Sequence, residues 1–311
     1  MTIHEAGKTY SLYNDFLGRL MRVYDSSGCS YEYTYDAGNN MTAMRYSAES
    51  SFRTGYTYDK DSRETKVTAY GHNRSTVYDA FGRVASRSWD TAAPYHTTYQ
   101  YMDSGNNRYG LVKKIQNGTA AIQYTYDANG NITSITEGGK TNNYYYDKRN
   151  QLIRVDDQVQ GKTFAYGYDL GVNMTRIREY AYTTASTLPD TPVKTITGTY
   201  DSTWKDKLLT WNGVTMTYDA VGNMTKKGST TFTWTKGRKL SGATIPKSNG
   251  TTTEASYVYD HTGTRIRKTV DGTVTNFRMA GDLLTSQQKG TQVTYFAYDS
   301  SGTLIAMAAA N

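Results

Sequence analysis

A chain of 311 residues with 30 tyrosines and four tryptophans, yet only 37% hydrophobic residues and a mean hydropathy of −0.70, is β-prone and too poor in aliphatics for a conventional large core. Its one cysteine, Cys29, excludes an internal disulfide framework and cysteine-cluster metal sites, and no apolar run of about 18 residues offers a membrane-spanning helix. The formal net charge of +7, from 35 basic and 28 acidic residues, is dispersed without long blocks of like charge, which argues against a specific nucleic-acid partner.

Along the chain the dipeptide Tyr-Asp recurs at Tyr24, Tyr35, Tyr58, Tyr78, Tyr126, Tyr146, Tyr168, Tyr200, Tyr218, Tyr259 and Tyr298, with most clear spacings between 18 and 23 residues. Worn copies fill the wider gaps, at Tyr101-Met102-Asp103 and at residues 232–238. A good copy reads aromatic-x-Tyr-Asp-x-x-Gly-[Asn/Arg]-apolar, as in Tyr124-Thr125-Tyr126-Asp127-Ala128-Asn129-Gly130-Asn131-Ile132. The two aromatics sit two apart, on one face of a strand. Asp suits the first position of a type I turn and Gly the left-handed position that ends it. The string therefore predicts a β-hairpin with a three-residue bulged loop.

That loop fixes a register. Asp lies opposite the residue four places later, and Tyr opposite the residue five places after the Asp. The latter is apolar at Leu20, Met41, Val84, Ile132, Leu152, Met174, Met224 and Leu304, so the expected unit is a cross-strand Tyr–aliphatic pair. Asp15, Asp59 and Asp79 face Arg19, Arg63 and Arg83; Asp36, Asp127, Asp169 and Asp219 face asparagines 40, 131, 173 and 223. The turns expected to carry the structure include Tyr78 with Asp79 and Gly82, Tyr126 with Asp127 and Gly130, Tyr146 with Asp147 and Asn150, Tyr218 with Asp219 and Gly222, and Tyr298 with Asp299 and Gly302. Asn39 and Asn150 stand at the Gly position, as the residue type that best tolerates left-handed backbone after Gly. About fourteen repeats of ~21 residues give roughly 25 to 30 strands. The reading is one all-β domain over 1–311, with irregular surface loops near 183–198 and 241–256, where prolines 189, 192 and 246 fall and the motif lapses. Long, exposed strands are expected at both termini, with edges open to self-association or to flanking repeats.

Tyr-Asp-x-x-Gly-[Asn/Arg] in tandem at this period resembles the Rhs/YD-repeat family of bacterial polymorphic toxins, wall-associated proteins, toxin-complex components and animal teneurins. The resemblance runs from Tyr13-Asn14-Asp15-Phe16-Leu17-Gly18-Arg19 to Tyr298-Asp299-Ser300-Ser301-Gly302. It implies an antiparallel ribbon spiralling into an open or partial hollow shell that encloses a polypeptide cargo, in a secreted or cell-surface protein. The family's C-terminal self-cleaving aspartyl segment and the toxin domain beyond it have no counterpart here, so neither activity is carried over. No signal peptide is visible at the N-terminus.

Other chemistry is thin. His4, His72, His96 and His261 share no metal or triad spacing. Cys29 replaces a repeat residue after Gly28, and isolated Asp-x-x-Gly turns supply one carboxylate each, too few for calcium. No cofactor is expected and no enzyme. Four of the seven Asn-x-Ser/Thr triplets (Asn40, Asn131, Asn173, Asn223) arise from the repeat itself. Outside the Tyr-Asp pairs, Trp89, Trp204, Trp211 and Trp234 are the candidate ligand surface, for a glycan or a protein, should the domain be an adhesion module instead.

Overall fold

The computed structural model describes every residue except 1, 6–7, 26–29, 48–51, 92–94, 103–108, 236, 261 and 311. The reading of Cys29, that of His261 and the aspartate of the worn copy at Asp103 lie outside the described residues. Among those described there is no helix; 29 strands form one antiparallel sheet, and no helix is long and apolar enough to cross a membrane. Strands pair with their neighbours in sequence, as with Ala120–Tyr126 against Ile132–Glu137 and Lys140–Tyr146 against Leu152–Asp157.

The connections between strands follow local turn chemistry. In the hairpin at Asp127, Asp127 N–H donates to the Asn131 carbonyl at 3.0 Å, and Gly130 N–H to the Asp127 carbonyl at 3.2 Å. The turn at Tyr78 is built alike: Asp79 N–H donates to the Arg83 carbonyl at 2.9 Å, and Gly82 N–H to the Asp79 carbonyl at 3.0 Å. Gly82 and Gly130 have φ +78° and +84°, and asparagines 39 and 150 take the same left-handed place at +69° and +60°. Gly222 and Gly302 close their turns in the same way, each N–H donating to the carbonyl of its motif Asp, Asp219 at 3.1 Å and Asp299 at 3.0 Å. Tyr126 stands opposite Ile132, Tyr146 opposite Leu152, Tyr168 opposite Met174 and Tyr298 opposite Leu304.

One residue further on, each of these last four hairpins holds a second irregularity. Thr125 pairs with Ser134 while Tyr126 pairs with Ile132, so Thr133 is an extra residue, a β-bulge. The bulge restores phase: Tyr124 and Tyr126, two apart, meet Ile135 and Ile132, three apart. The same step recurs at Tyr33/Tyr35 with Met44/Met41, at Tyr144/Tyr146 with Val155/Leu152, and at Tyr166/Tyr168 with Ile177/Met174. The extra residue is often Thr, and its hydroxyl meets the Thr before the motif Tyr, at 2.8 Å for Thr125–Thr133 and 3.0 Å for Thr217–Thr225.

The chain groups into two compact units: one made of Met1–Val77, Ser88–Pro94 and Thr230–Asn311, the other of Tyr78–Arg87 and Tyr95–Ser229. In the first unit, early and late strands pack together. Tyr31, Met44, Tyr46, Phe52 and Tyr295 form its core, with ring centroids 4.9 Å apart for Tyr31–Tyr46 and 5.8 Å for Phe52–Tyr295. By register Tyr31, Met44, Tyr46 and Tyr56 lie on the face that carries the motif tyrosines. Tyr295, Ala297 and Asp299 lie on the face opposite Phe296 and Tyr298. The ribbon thus laps itself within this unit, motif face over reverse face.

Of the two segments expected to be irregular, 183–193 has no strand, and the strand Lys194–Tyr200 begins before its expected end. The segment 241–256 is corrected: it belongs mostly to the paired strands Lys239–Pro246 and Thr252–Tyr259, closed by a turn in which Gly250 N–H donates to the Lys247 carbonyl at 3.1 Å. Lys stands where the motif has Asp, and the Asn249 side chain accepts from Thr251 N–H instead, at 3.1 Å. The turn forms without the recognisable string.

Candidate functional site

The motif tyrosines are tethered from repeat to repeat. Tyr146 Oη donates to the Ile132 carbonyl at 2.9 Å, and Tyr168 Oη to Leu152, Tyr101 Oη to Val84 and Tyr58 Oη to Met41, each at 2.8 Å. The acceptors Ile132, Leu152 and Met41 are the aliphatic residues that face the preceding repeat's tyrosine. Phenylalanine would fill the space but leave that carbonyl without this donor, which explains why the position is tyrosine. Burial raises these phenols above their ordinary range, as at Tyr126 and Tyr168, so they stay protonated and donate.

The turn aspartates are acceptors in a fixed pattern. Asp127 Oδ1 takes Asn129 N–H and Asn131 N–H, both at 2.9 Å, and Oδ2 takes Asn131 Nδ2 at 2.9 Å. The Asn amide and the backbone donors hold Asp127, Asp169 and Asp219 below the usual carboxylate range. In the Arg copies a guanidinium replaces the amide: Arg19 Nε lies 2.6 Å from Asp15 Oδ2, and Arg83 Nε 2.7 Å from Asp79 Oδ2.

The two units use the motif face differently. In the first unit it is buried against the late strands and carries an ion triad. Arg74, Glu64 and Asp299 are only 5%, 7% and 4% exposed. Arg74 Nη2 lies 2.9 Å from both Glu64 Oε1 and Asp299 Oδ2, and Glu64 Oε2 accepts from Ser300 N–H at 2.7 Å. Tyr56 Oη reaches the Tyr298 carbonyl at 3.0 Å. In the second unit the motif residues Tyr124, Tyr126, Ile135, Tyr144, Tyr146 and Tyr166 are half-buried, with Val155 opposite Tyr144 buried. They form a broad aromatic–aliphatic wall, with phenol edges among aliphatic side chains. One irregular strap borders this unit: Arg154, paired with buried Asp156 at 2.7 Å, donates to the Thr183 and Ala185 carbonyls at 3.0 and 2.8 Å.

The four tryptophans divide between the two units. Trp89 and Trp234 belong to the first unit, Trp204 and Trp211 to the second. Trp211 lies so close over Gly198 that a Cβ there would be 2.5 Å from its ring, and Trp204, 48% exposed, lies equally close over Gly222. Trp234 stands opposite Leu240, where other copies have the motif Tyr. His72 Nδ1 sits 3.8 Å from Asp90, and no group of three metal-binding side chains occurs among the described residues.

Comparison with known proteins gives the fold a context. Residues 69–184 match a family model described as Teneurin YD-shell, and 17–51 one described as RHS Repeat. The tRNA3(Ser)-specific nuclease WapA of Bacillus spizizenii is 27% identical over 268 residues, covering 74% of this chain and 10% of that protein. The tRNA nuclease WapA of Bacillus subtilis is 28% identical over 217 residues, 57% of this chain and 9% of the relative. Among solved structures, the TcdB2-TccC3-Cdc42 crystal structure aligns with a TM-score of 0.55 at 16% identity, over 96% of this chain and 18% of that one. The Photorhabdus luminescens Tc holotoxin pore aligns at 0.51 and 14%, over 96% and 17%. The chain spans about a tenth of the length of these curated relatives.

Proposed function

We propose that this chain, a member of the Rhs/YD-repeat family, is a wall segment of a secreted or cell-surface protein whose half-buried motif face holds a polypeptide. The observation that carries this is the contrast between the units. The same Tyr–aliphatic face that is buried in the first unit by a further lap of the ribbon is only half-covered in the second, over several successive repeats. A continuous surface of rings and aliphatics with protonated phenol edges suits extended or unfolded chain of many sequences, because it offers area and hydrogen bonds without a shaped pocket. The likeness to TcdB2-TccC3 assemblies and to WapA nucleases supports a toxin-associated setting. The nuclease activity in the relatives' names is theirs; the role proposed here is containment, without catalysis.

The test is site-specific photocrosslinking to reduced, carboxymethylated α-lactalbumin as the unfolded polypeptide. Tyr144 and Tyr145 are neighbours on opposite faces, across from Val155 and Arg154 respectively. A benzophenone amino acid at Tyr144 is expected to capture the polypeptide and one at Tyr145 is not. Equal capture from both, or none from Tyr144, overturns the reading. A glycan array with selective binding that Trp204→Ala abolishes would establish the adhesion alternative in its place.

A further inference from the structure

Between the repeats that begin at Tyr146 and Tyr168 lies a cleft of about 490 Å³, lined among others by Asp147, Arg149, Gln151, Tyr166, Tyr168 and Asp169. Its meaning comes from the same position in other repeats. In the repeat at Asp79, the residue four places on is Arg83. Its Nε and Nη2 both lie 2.7 Å from Asp79 Oδ2, and its Cζ stacks 4.3 Å from the ring centroid of Tyr101, the next repeat's tyrosine. The repeat at Asp15 is built alike: Arg19 Nε is 2.6 Å from Asp15 Oδ2 and its Cζ is 4.8 Å from the Tyr35 centroid. Both slots share one frame, in which that tyrosine's hydroxyl donates to the carbonyl after the arginine, Val84 or Leu20.

The cleft has the same frame without the guanidinium. Tyr168 Oη donates to the Leu152 carbonyl at 2.8 Å, and Asp147 Oδ1 accepts from Arg149 N–H at 2.8 Å and Gln151 N–H at 2.9 Å. Gln151 stands where Arg83 stands, but no bond joins its amide to Asp147, and its buried Nε2 has no hydrogen-bond partner. Asp147 Oδ2, the oxygen that receives Arg at Asp79 and Asn at Asp127, has none either. The other charges at the rim are Asp169, whose oxygens accept from Asn173 N–H and Nδ2 at 2.9 and 3.0 Å, and the exposed Arg149.

We propose that this cleft binds the guanidinium of an arginine on a partner polypeptide, seated between Asp147 Oδ2 and the Tyr168 ring as Arg83 is seated between Asp79 and Tyr101. A guanidinium fits better than an ammonium, because only the planar cation both stacks on the ring and presents parallel N–H donors to the carboxylate. Its displacement of the Gln151 amide also frees a buried, unpartnered donor. The site stands independently of whether the motif face holds cargo, since it is read from the turn frame alone.

The test uses the full chain and Nα-acetyl-arginine amide, followed by NMR chemical shifts. Saturable shifts confined to signals from 147–170 are expected at millimolar concentration, with the blocked lysine amide binding several-fold more weakly. Asp147→Asn is expected to weaken arginine binding by tenfold or more, and Arg149→Ala to strengthen it by removing a like charge. Gln151→Arg is expected to fill the slot from within, abolishing binding and raising the melting temperature. Absence of saturable shifts in the parent, equal binding by Asp147→Asn, or undiminished binding by Gln151→Arg overturns the proposal.

Discussion

Replacing Arg74 by Met probes the lap that closes the first unit. The guanidinium lies between two buried carboxylates, with 2.9 Å contacts to each. Exposed pairs of this kind contribute about 0–1 kcal/mol, but these three side chains are each under 10% exposed. Removing one partner of a buried ion pair costs about 3–5 kcal/mol, mainly because the partner charge is left without compensation. Here two buried carboxylates lose their guanidinium at once, so the upper half of that range applies, diminished by their remaining donors from 300, 301 and 303 and by whatever proton one of them recruits. Against a total stability of about 5–15 kcal/mol, the loss should lower the unfolding temperature of this unit by about 10 °C. Asp299→Asn is the graded control: Arg74 keeps Glu64, and the loss should be smaller. Differential scanning calorimetry gives the magnitude, and hydrogen exchange locates it, with faster exchange in Gln292–Tyr298 and little change in Lys140–Tyr146. An Arg74→Met protein that unfolds within about 1 °C of the parent would refute the reasoning.

The remaining expectations concern the repeat. Gly130→Val puts a β-branched residue at φ +84°; the added Cβ would meet only Leu111 Cδ1 at an ordinary 3.8 Å, so the left-handed backbone carries the cost of about 1–3 kcal/mol, read from urea unfolding. Val172 already sits at φ +72° and is 59% exposed, so Val172→Gly should raise stability by about 1 kcal/mol, strain relief exceeding the entropy cost of glycine. Tyr146→Phe keeps the ring but removes the donor to Ile132, and should cost about 0.5–1.5 kcal/mol by the same measurement. In acid the sign follows from carboxylates held low in the fold. Burial pushes Asp299 up, but bonds from Ser301, Thr303 and Arg74 outweigh it, and Asp127 is held low by Asn131. The unfolded chain then binds more protons, so this stability is present above the ordinary aspartate value near ~3.9 and is lost as pH falls through the lower folded values. Melting temperatures should hold from neutral pH to about 5 and fall below about 4, less steeply in Asp127→Asn.

Much of the hairpin architecture was legible because it is local. Asp, Gly and the step between them act over five residues, and a turn of that kind dictates which residues face each other. The second bulge, past the turn, is not evident from the motif, although its trace is present: the apolar residues that follow the turn come three apart, as Ile132 and Ile135 or Met41 and Met44, against two apart for the tyrosines. A strict period of two hides such a step, since only the pairing reveals which residue is surplus. The hairpin at residues 247–251 does not show in the sequence for the opposite reason: Lys247 stands at the Asp position, and Asn249 supplies the acceptor from two residues further on. The triad could not be read at all. Glu64 and Arg74 lie ten residues apart and Asp299 lies 225 from Arg74, and Asp299 looks like every other turn aspartate. Thr303 stands where the Asp127 and Asp79 copies have Asn or Arg, as Thr264 does after Asp260; this leaves Asp299 Oδ2 to Arg74 and becomes informative only once the lap brings them together.

The same substitution logic joins the triad to the empty cleft. A turn aspartate offers two oxygens: the inner one is consumed by backbone N–H groups, and the outer one awaits whatever residue stands four places on. Arg or Asn satisfies it within the repeat, and the repeat is then self-sufficient. Thr303 cannot, and the carboxylate of Asp299 is satisfied by an arginine 225 residues away. Gln151 does not, and Asp147 Oδ2 is left open beside Tyr168. At Asp299 and Asp147 a departure from the motif at this one position thus leaves a turn carboxylate oxygen for a group outside the repeat. Aliphatic scarcity has a parallel resolution: in the first unit rings and a compensated ion triad fill the space, with Tyr31 bonded to Thr285 and Tyr46 to Arg278, so a ribbon poor in Leu and Ile can still bury a core when its tyrosines find acceptors.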